Sequence, residues 1–141
     1  MIEALQEAVG WTGPLREDVV ERRHLVFFLH AIGATGDFGA SGDLGASGYE
    51  VPPTFTACFL DEPPSLPAAA SYGSGWLNGG DRFEYHAPLR VGDVIVSRPR
   101  FTGVVEKSGS AGSFALLTFE TEFRRPGGEL VVRHIGSRIR K

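Results

Sequence analysis

Hydrophobic and polar residues alternate along the second half of the chain, and this alternation predicts β-strands there. The pattern is clearest over residues 82–87, where aromatic and charged side chains take turns. Pro88 ends this strand because it has no N–H to donate to a neighbouring strand. A turn at residues 91–93 leads to the next strand, which begins at Val94. We expect these two strands to form an antiparallel pair.

Three longer strands are predicted after that turn, over residues 93–106, 114–123 and 130–139. Glycine-containing turns at residues 107–112 and 125–128 separate them. One face of the resulting sheet is expected to carry the aromatic side chains Phe83, Tyr85, Phe119 and Phe123, with Thr121 interrupting the apolar row.

The first half of the chain is mostly helical and irregular. Residues 1–10 are weakly helical, residues 15–20 can be extended, and residues 21–32 are the best helix candidate. This helix is apolar nearly all round at its C-terminal end, so we expect that end to be buried. A second helix, from Thr54 to Leu60, is expected to cover the aromatic face of the sheet. Helices followed by an antiparallel meander indicate an α+β fold.

Two long segments read as loops. Glycine recurs at every third position within residues 34–50, which predicts either a flexible loop or a lid. Asp37 is an acid–base candidate in this segment. Residues 61–75 are rich in proline, alanine and serine and form the second predicted loop.

Composition narrows the function classes. The chain has 141 residues, so a single domain spanning 1–141 is expected. Its net charge of −3 argues against nucleic acid as the main partner. No apolar run reaches the ~18 residues of a membrane span, and the N-terminus lacks the basic start of a signal peptide. Since Cys58 is the single cysteine, neither an internal disulfide nor a multi-cysteine zinc site is possible. We therefore expect a soluble, cytoplasmic protein.

Two local patterns carry candidate chemistry. Free N–H groups at the helix start near Thr54 can hold a carbonyl oxygen or an oxyanion, although a plain helix cap explains the same residues. Glu84 and His86 are two residues apart on a strand and so point the same way, which lets the carboxylate orient the imidazole. The alternative is a surface pair on a wet sheet face.

The last strand ends in basic residues, Arg133, Arg138, Arg140 and Lys141. These cations either meet phosphates of a cofactor-like substrate or form a solvated strand end, and we favour the solvated end.

Four motifs, in order, resemble the N-terminal domain of MaoC-like dehydratases. They are Pro-Pro-Thr-Phe at residues 52–55, Gly-Gly-x-x-Phe-Glu-Tyr-His-x-Pro-Leu-Arg-Val-Gly-Asp at 79–93, Glu-Lys-Ser-Gly-x-x-Gly at 106–112, and Thr-Phe-Glu-Thr-Glu at 118–122. The resemblance covers nearly the whole chain, from about Trp11 to Lys141.

This resemblance implies a hotdog fold, in which a bent antiparallel sheet wraps a central helix and a dimer or double hotdog forms. Members of the family hydrate enoyl thioesters or dehydrate 3-hydroxyacyl thioesters, carried on coenzyme A or acyl carrier protein, without a metal or redox cofactor. The implied substrate-binding residues are Pro53, Thr54, Phe55, Gly79, Gly80, Phe83 and Tyr85.

Catalytically competent relatives carry Gly-Asp-x-Asn-Pro-x-His after the first helix, where the Asp and His form a general acid–base pair. Here Ala34 stands at the position of that aspartate, and no histidine occurs between His30 and His86. The resemblance therefore favours a degenerate half that binds the acyl group beside a catalytic MaoC-like partner.

Two other hypotheses stay open. One is a self-sufficient enzyme whose acid–base chemistry has moved to Asp37, Glu84 or His86. The other is a non-enzymatic hotdog that binds thioesters or acts as a scaffold. The assembly can be a homodimer or a heterodimer, because a sheet of so few strands leaves exposed edges that a second subunit can pair with.

Overall fold

The computed structural model describes residues 1–34 and 50–141. The helices are α1 (Ile2–Glu7), α2 (Arg22–Ala31) and two 3₁₀ helices, Pro53–Phe59 and Pro67–Ser71. The strands are β1 (Arg16–Val19), β2 (Trp76–Tyr85), β3 (Val94–Gly109), β4 (Gly112–Arg124) and β5 (Leu130–Arg140). Within the described residues, no helix is long and apolar enough to cross a membrane.

The five strands form one antiparallel sheet in the order β1-β3-β4-β5-β2. A tight turn joins β3 to β4, since their ladder runs out to the pair Gly109 and Gly112. The three long strands predicted from hydrophobic alternation are confirmed, because each presents one face to a core and the other to solvent.

The predicted pairing of strand 82–87 with the strand that follows it is wrong. β2 lies at the opposite edge of the sheet and pairs with β5, from Trp76 opposite Arg140 to Tyr85 opposite Val132. The segment between β2 and β3 is not a hairpin, because Leu89 and Val91 are buried in the core and carry the chain across the end of the sheet.

Two apolar clusters pack against the concave face of the sheet. The first cluster lies beneath α2 and the first 3₁₀ helix and contains Val20, Leu25, Leu29, Val51, Phe55, Phe59, Leu89, Val91, Ile95, Phe123, Val131 and Val132. The second cluster lies beneath α1 and the second 3₁₀ helix and contains Leu5, Leu66, Ala69, Tyr72, Phe101, Ala115, Leu117 and Phe119. Between them runs a polar strip that includes Thr121 and His134, which pair across β4 and β5.

The helices depart from the sequence predictions in two respects. The helix expected from Thr54 to Leu60 is a 3₁₀ helix that begins one residue earlier, with the Phe55 N–H donating to the carbonyl of Pro52 at 3.0 Å. The C-terminal end of α2 is not wholly buried, because Phe27 and Ile32 expose 57% and 53% of their surface. Among the described residues, Arg23 places its guanidinium 5.4 Å from the ring centre of Phe27, and more than half of the Phe27 surface stays exposed.

Candidate functional site

An open cleft of about 370 Å³ lies where the first 3₁₀ helix meets the end of β2. Its walls are mostly apolar, and a few polar side chains converge on it, as in many small-molecule sites. The lining residues are Glu50, Val51, Pro52, Pro53, Thr56, Tyr85, His86, Ala87, Pro88, Leu89 and Val132.

Three of the residues proposed from the sequence meet in this cleft. Pro53 forms one side, and Tyr85 and His86 form the other. Thr54 lies beside them in the first turn of the 3₁₀ helix, where backbone N–H groups have no partner within the helix. Their roles in binding stay predictions.

The other proposed binding residues lie elsewhere. Phe55 is fully buried in the first apolar cluster, and Phe83 packs against that cluster. The ring centre of Phe83 lies 4.8 Å from the ring centre of His134. Gly79 and Gly80 lie on β2, next to a bulge, and Gly80 has the positive φ of 130° that favours glycine. The proposed binding residues are therefore divided among the cleft, the first apolar cluster and the bulge of β2.

Glu84 and His86 do not form a pair. The Glu84 carboxylate lies 3.0 Å from Arg82 and 3.3 Å from Arg133 on the convex face of the sheet. β2 ends at Tyr85, and the His86 N–H donates to the carbonyl of Val131. Across residues 1–34 and 50–141, His86 makes no hydrogen bond to a carboxylate. Asp37 lies outside the described residues.

Thr56 is a cleft residue that the sequence did not single out. It exposes 1% of its surface, and its Oγ1 has no hydrogen-bond partner among the described residues. A buried hydroxyl without a partner can form a hydrogen bond with an oxygen or nitrogen atom of a ligand. A single threonine in an apolar run gives little signal in a sequence.

A second polar feature lies under the sheet, between the two apolar clusters. His134 Nε2 is 2.6 Å from Asp81 Oδ1, and Arg138 Nη2 donates to the same oxygen at 2.8 Å. Arg138 Nε also donates to Glu62, at 3.0 Å. We call these four residues, Glu62, Asp81, His134 and Arg138, the buried charged cluster after its two buried members, His134 and Arg138; Glu62 and Asp81 are partly exposed.

The charges of this cluster follow from its contacts. Burial raises the pKa of Asp81, but hydrogen bonds from Arg138, Asn78 and His134 outweigh burial and lower it to about 2. Burial lowers the pKa of His134 below its ordinary value of 6.5, although Asp81 opposes the shift. At neutral pH, Asp81 is ionised and His134 is neutral, so Nε2 carries the ring proton and donates a hydrogen bond to Asp81.

The interpretation of the basic C-terminal residues as a solvated strand end is wrong for two of them. Arg138 and Arg140 expose only 4% and 8% of their surface. Arg138 belongs to the buried charged cluster, and Arg140 donates to the carbonyls of Ala69, Tyr72 and Gly73 in and after the second 3₁₀ helix. Both arginines hold loop 61–75 against the sheet.

Part of this cluster left a signal in the sequence. Thr121 interrupts an apolar row, and His134, Gly136 and Arg138 follow each other at the spacing of one strand face. These observations indicate a polar strip on the concave face, but they name neither Asp81 nor Glu62.

Comparisons with known proteins agree with this architecture. Residues 7–134 match the family model described as the FAS1-like dehydratase domain region. The chain is similar to one in the HadBC (3R-hydroxyacyl-ACP dehydratase) complex from Mycobacterium tuberculosis, with a TM-score of 0.71, 21% identity and coverage of 94% of this chain and 96% of that chain.

Two further structures are similar. The ChsH1-ChsH2 complex from the same organism gives a TM-score of 0.73 at 15% identity, covering 99% of this chain and 92% of that one. An (R)-hydratase from A. caviae involved in PHA biosynthesis gives 0.67 at 16% identity, covering 92% and 94%. No curated protein sequence matches the chain. The structural likeness confirms the predicted hotdog fold.

Proposed function

Because the chain belongs to the family of FAS1-like dehydratase domain regions, the MaoC-like hotdog dehydratases, we propose that it is the substrate-binding half of a heteromeric hydratase or dehydratase. It holds the acyl part of a thioester, carried on coenzyme A or acyl carrier protein, beside a partner hotdog subunit. The partner supplies the Asp/His acid–base pair, and no metal or redox cofactor takes part.

Position 34 carries this proposal. Ala34 stands where catalytic relatives have an aspartate; its N–H donates to Leu29 at 2.9 Å, and its methyl group packs against the first apolar cluster. A methyl group cannot exchange a proton with water or substrate. The salt bridges of Glu84 with Arg82 and Arg133 also leave His86 without the carboxylate that would orient it.

Uncovered surfaces support a partner subunit. β2 is an edge strand of ten residues, and a long free edge is a usual site of pairing with another chain. Phe27 on α2 and Ile32, the residue that follows this helix, are more than half exposed. Two of the similar structures, HadBC and ChsH1-ChsH2, are described as complexes.

A second candidate, a self-sufficient enzyme, is favoured by one observation. His86 lines the cleft together with the unpartnered hydroxyl of Thr56, so an imidazole and a hydroxyl adjoin one ligand-sized space. In this reading, His86 acts as the general base without a carboxylate partner.

Hydration of enoyl-CoA, followed by loss of the enoyl absorbance, distinguishes these functions. The purified chain is assayed alone and with a MaoC-like protein that carries the full Asp/His motif and is encoded nearby. Activity in the mixture alone supports the substrate-binding half. Robust turnover by the lone chain contradicts it and favours the self-sufficient enzyme, whereas no turnover in either sample favours a scaffold.

The partner surface is tested by a matched pair of variants in the same mixture. Phe27→Glu places a charge on the uncovered face of α2, and Val105→Glu places one on β3 at a side chain of equal exposure, 57%. Phe27→Glu should weaken the complex on size-exclusion chromatography, and Val105→Glu should not. Equal behaviour of the two would remove α2 from the interface.

A further inference from the structure

The polar strip under the sheet contains an acceptor atom without a donor. His134 exposes 3% of its surface, and its Nδ1 has no hydrogen-bond partner among the described residues. Since the protonated Nε2 donates a hydrogen bond to Asp81, Nδ1 of the neutral ring has a lone pair and no proton. A buried acceptor of this kind gains free energy from any hydrogen-bond donor that reaches it.

A cavity of about 30 Å³ adjoins the ring. Thr121, His134 and Gly136 line it on the sheet side, and the other side is lined by Leu60, Asp61, Glu62, Pro64 and Ser65. Gly136 keeps this space open, because a Cβ there would lie 2.7 Å from Cε1 of His134, the carbon bonded to Nδ1. The volume suits a water molecule or one small group of a larger ligand.

The cavity adjoins a groove at the surface. This groove, of about 470 Å³, lies along the start of β2, and Glu62, Pro64 and Arg138 line both spaces. The Glu62 side chain is 45% exposed, whereas that of Arg138 is 5% exposed. Arg138 also donates to Asp81 and to the carbonyls of Gly80 and Ser137. Glu62 can therefore swing into solvent without leaving the guanidinium unpaired.

The chemistry of the walls selects the group that enters. Trp11, Leu60, Pro99 and Phe119 make most of the cavity lining apolar. Two carboxylates, Glu62 and Asp81, already face the single guanidinium of Arg138, so a third carboxylate would be repelled. A neutral hydroxyl on an apolar body satisfies both conditions, since its O–H can donate to Nδ1.

We propose that the cavity at His134 is a second binding site, which takes a hydroxyl group at the far end of an acyl chain that enters past Glu62. The inference rests on the proposed function, because it assumes that the ligand is an acyl thioester. It adds that the acyl part carries a neutral hydroxyl remote from the thioester carbonyl.

The test is calorimetric binding of matched coenzyme A thioesters to the full chain. A series of saturated acyl chains of increasing length is compared with the same chains bearing a terminal hydroxyl or a terminal carboxylate. At the length that reaches the cavity, the hydroxyl form should bind about two- to tenfold more tightly than the unsubstituted form, as one added hydrogen bond provides. The carboxylate form should bind more weakly than both.

His134→Gln separates the two nitrogens of the ring. The glutamine amide nitrogen can replace Nε2 and still donate to Asp81, while no atom replaces Nδ1. This variant should lose the hydroxyl preference and keep its affinity for the unsubstituted chain. His30→Gln, the same change at an exposed histidine, is the control and should keep the preference. If His134→Gln does not fold, Gly136→Ala fills the cavity instead and should also abolish the preference.

Each outcome decides the matter. Thioester binding without a hydroxyl preference at any length, or a preference that survives in both variants, overturns this inference alone and means that the cavity holds only water. Failure of every thioester to bind, whether carried on coenzyme A or on acyl carrier protein and with or without the MaoC-like partner, overturns the proposed function and this inference with it.

Discussion

His86 and His134 lie in opposite surroundings. His86 is exposed at the rim of an open cleft and has no hydrogen bond to a carboxylate in the described part of the chain, whereas His134 is buried and bonded to Asp81. The sequence offered His86 as an alternative acid–base candidate, because Glu84 is two residues away. In the structure, the histidine with a carboxylate partner is His134, which bonds to Asp81, because strand pairing and packing decide which side chains face each other.

The largest expected effect is on the free energy of unfolding, at the buried charged cluster around His134. Arg138→Met removes the hydrogen bonds that a nearly buried guanidinium donates to Asp81 and Glu62, and it should lower the free energy of unfolding by about 3 kcal/mol. Urea denaturation measures the change. Arg82→Met is the control, because that side chain is 74% exposed and its ion pair should contribute less than about 1 kcal/mol. Similar losses would show that the cluster is not a stabilising unit.

Gly136→Ala should have the next largest effect. Its new methyl group would stand 2.7 Å from Cε1 of His134 and 3.1 Å from Nη1 of Arg138, so the cluster must shift, at a cost of about 1–3 kcal/mol. Gly103→Ala on β3 meets no atom within 4 Å and should be close to neutral. Thermal unfolding compares the two variants, and a neutral Gly136→Ala would mean that the ring moves freely.

The pH dependence of stability sharpens the comparison further. Because the pKa of folded His134 lies below its ordinary 6.5, the unfolded chain binds the proton first, and stability should fall as pH drops below about 6.5. Asp81, with a folded pKa of about 2 against an ordinary 3.8, adds a second loss as pH falls through that lower range.

His134→Gln isolates the first step. The difference in unfolding free energy between wild type and variant should change below pH 6.5 with a slope of at most about 1.4 kcal/mol per pH unit. His30→Gln should show the wild-type profile. A variant that follows wild type throughout would mean that the pKa of His134 is the same in the folded and the unfolded protein.

The smallest structural effect is expected at the exposed histidine. His86→Ala should change the free energy of unfolding by less than about 0.5 kcal/mol, because an exposed side chain is removed. Its effect on enoyl-CoA hydration decides its role. Unchanged turnover of the mixture fits the substrate-binding half, and abolished turnover of a folded protein would make His86 the general base.

Local sequence was sufficient for the strands β3, β4 and β5. Their alternation sets which residues face the core, and glycines mark the turns between them. The motif order likewise predicted the family, which the match over residues 7–134 confirms. The sequence showed that Thr121 interrupts the apolar row of β4. It did not show that Thr121 pairs with His134 in a polar strip between two apolar clusters.

The position of β2 could not be read in the same way. Alternation shows that a segment is a strand and leaves its neighbour undetermined, so proximity in sequence wrongly favoured the strand that follows. β2 pairs with β5 at one edge of the sheet, and the segment with the buried Leu89 and Val91 then carries the chain across to β3. That pairing is what brings Asp81 to His134.

By itself, the sequence determined the types of the main elements, the family and the absence of the aspartate at position 34. Only the tertiary structure decided that Arg138 and Arg140 are buried, that Glu84 pairs with arginines, and that His134 has a carboxylate partner. The reason is separation along the chain: Arg138 bonds to Glu62 across 76 residues, and His134 bonds to Asp81 across 53. A charge at the end of a strand looks solvated until the loop that covers it is known.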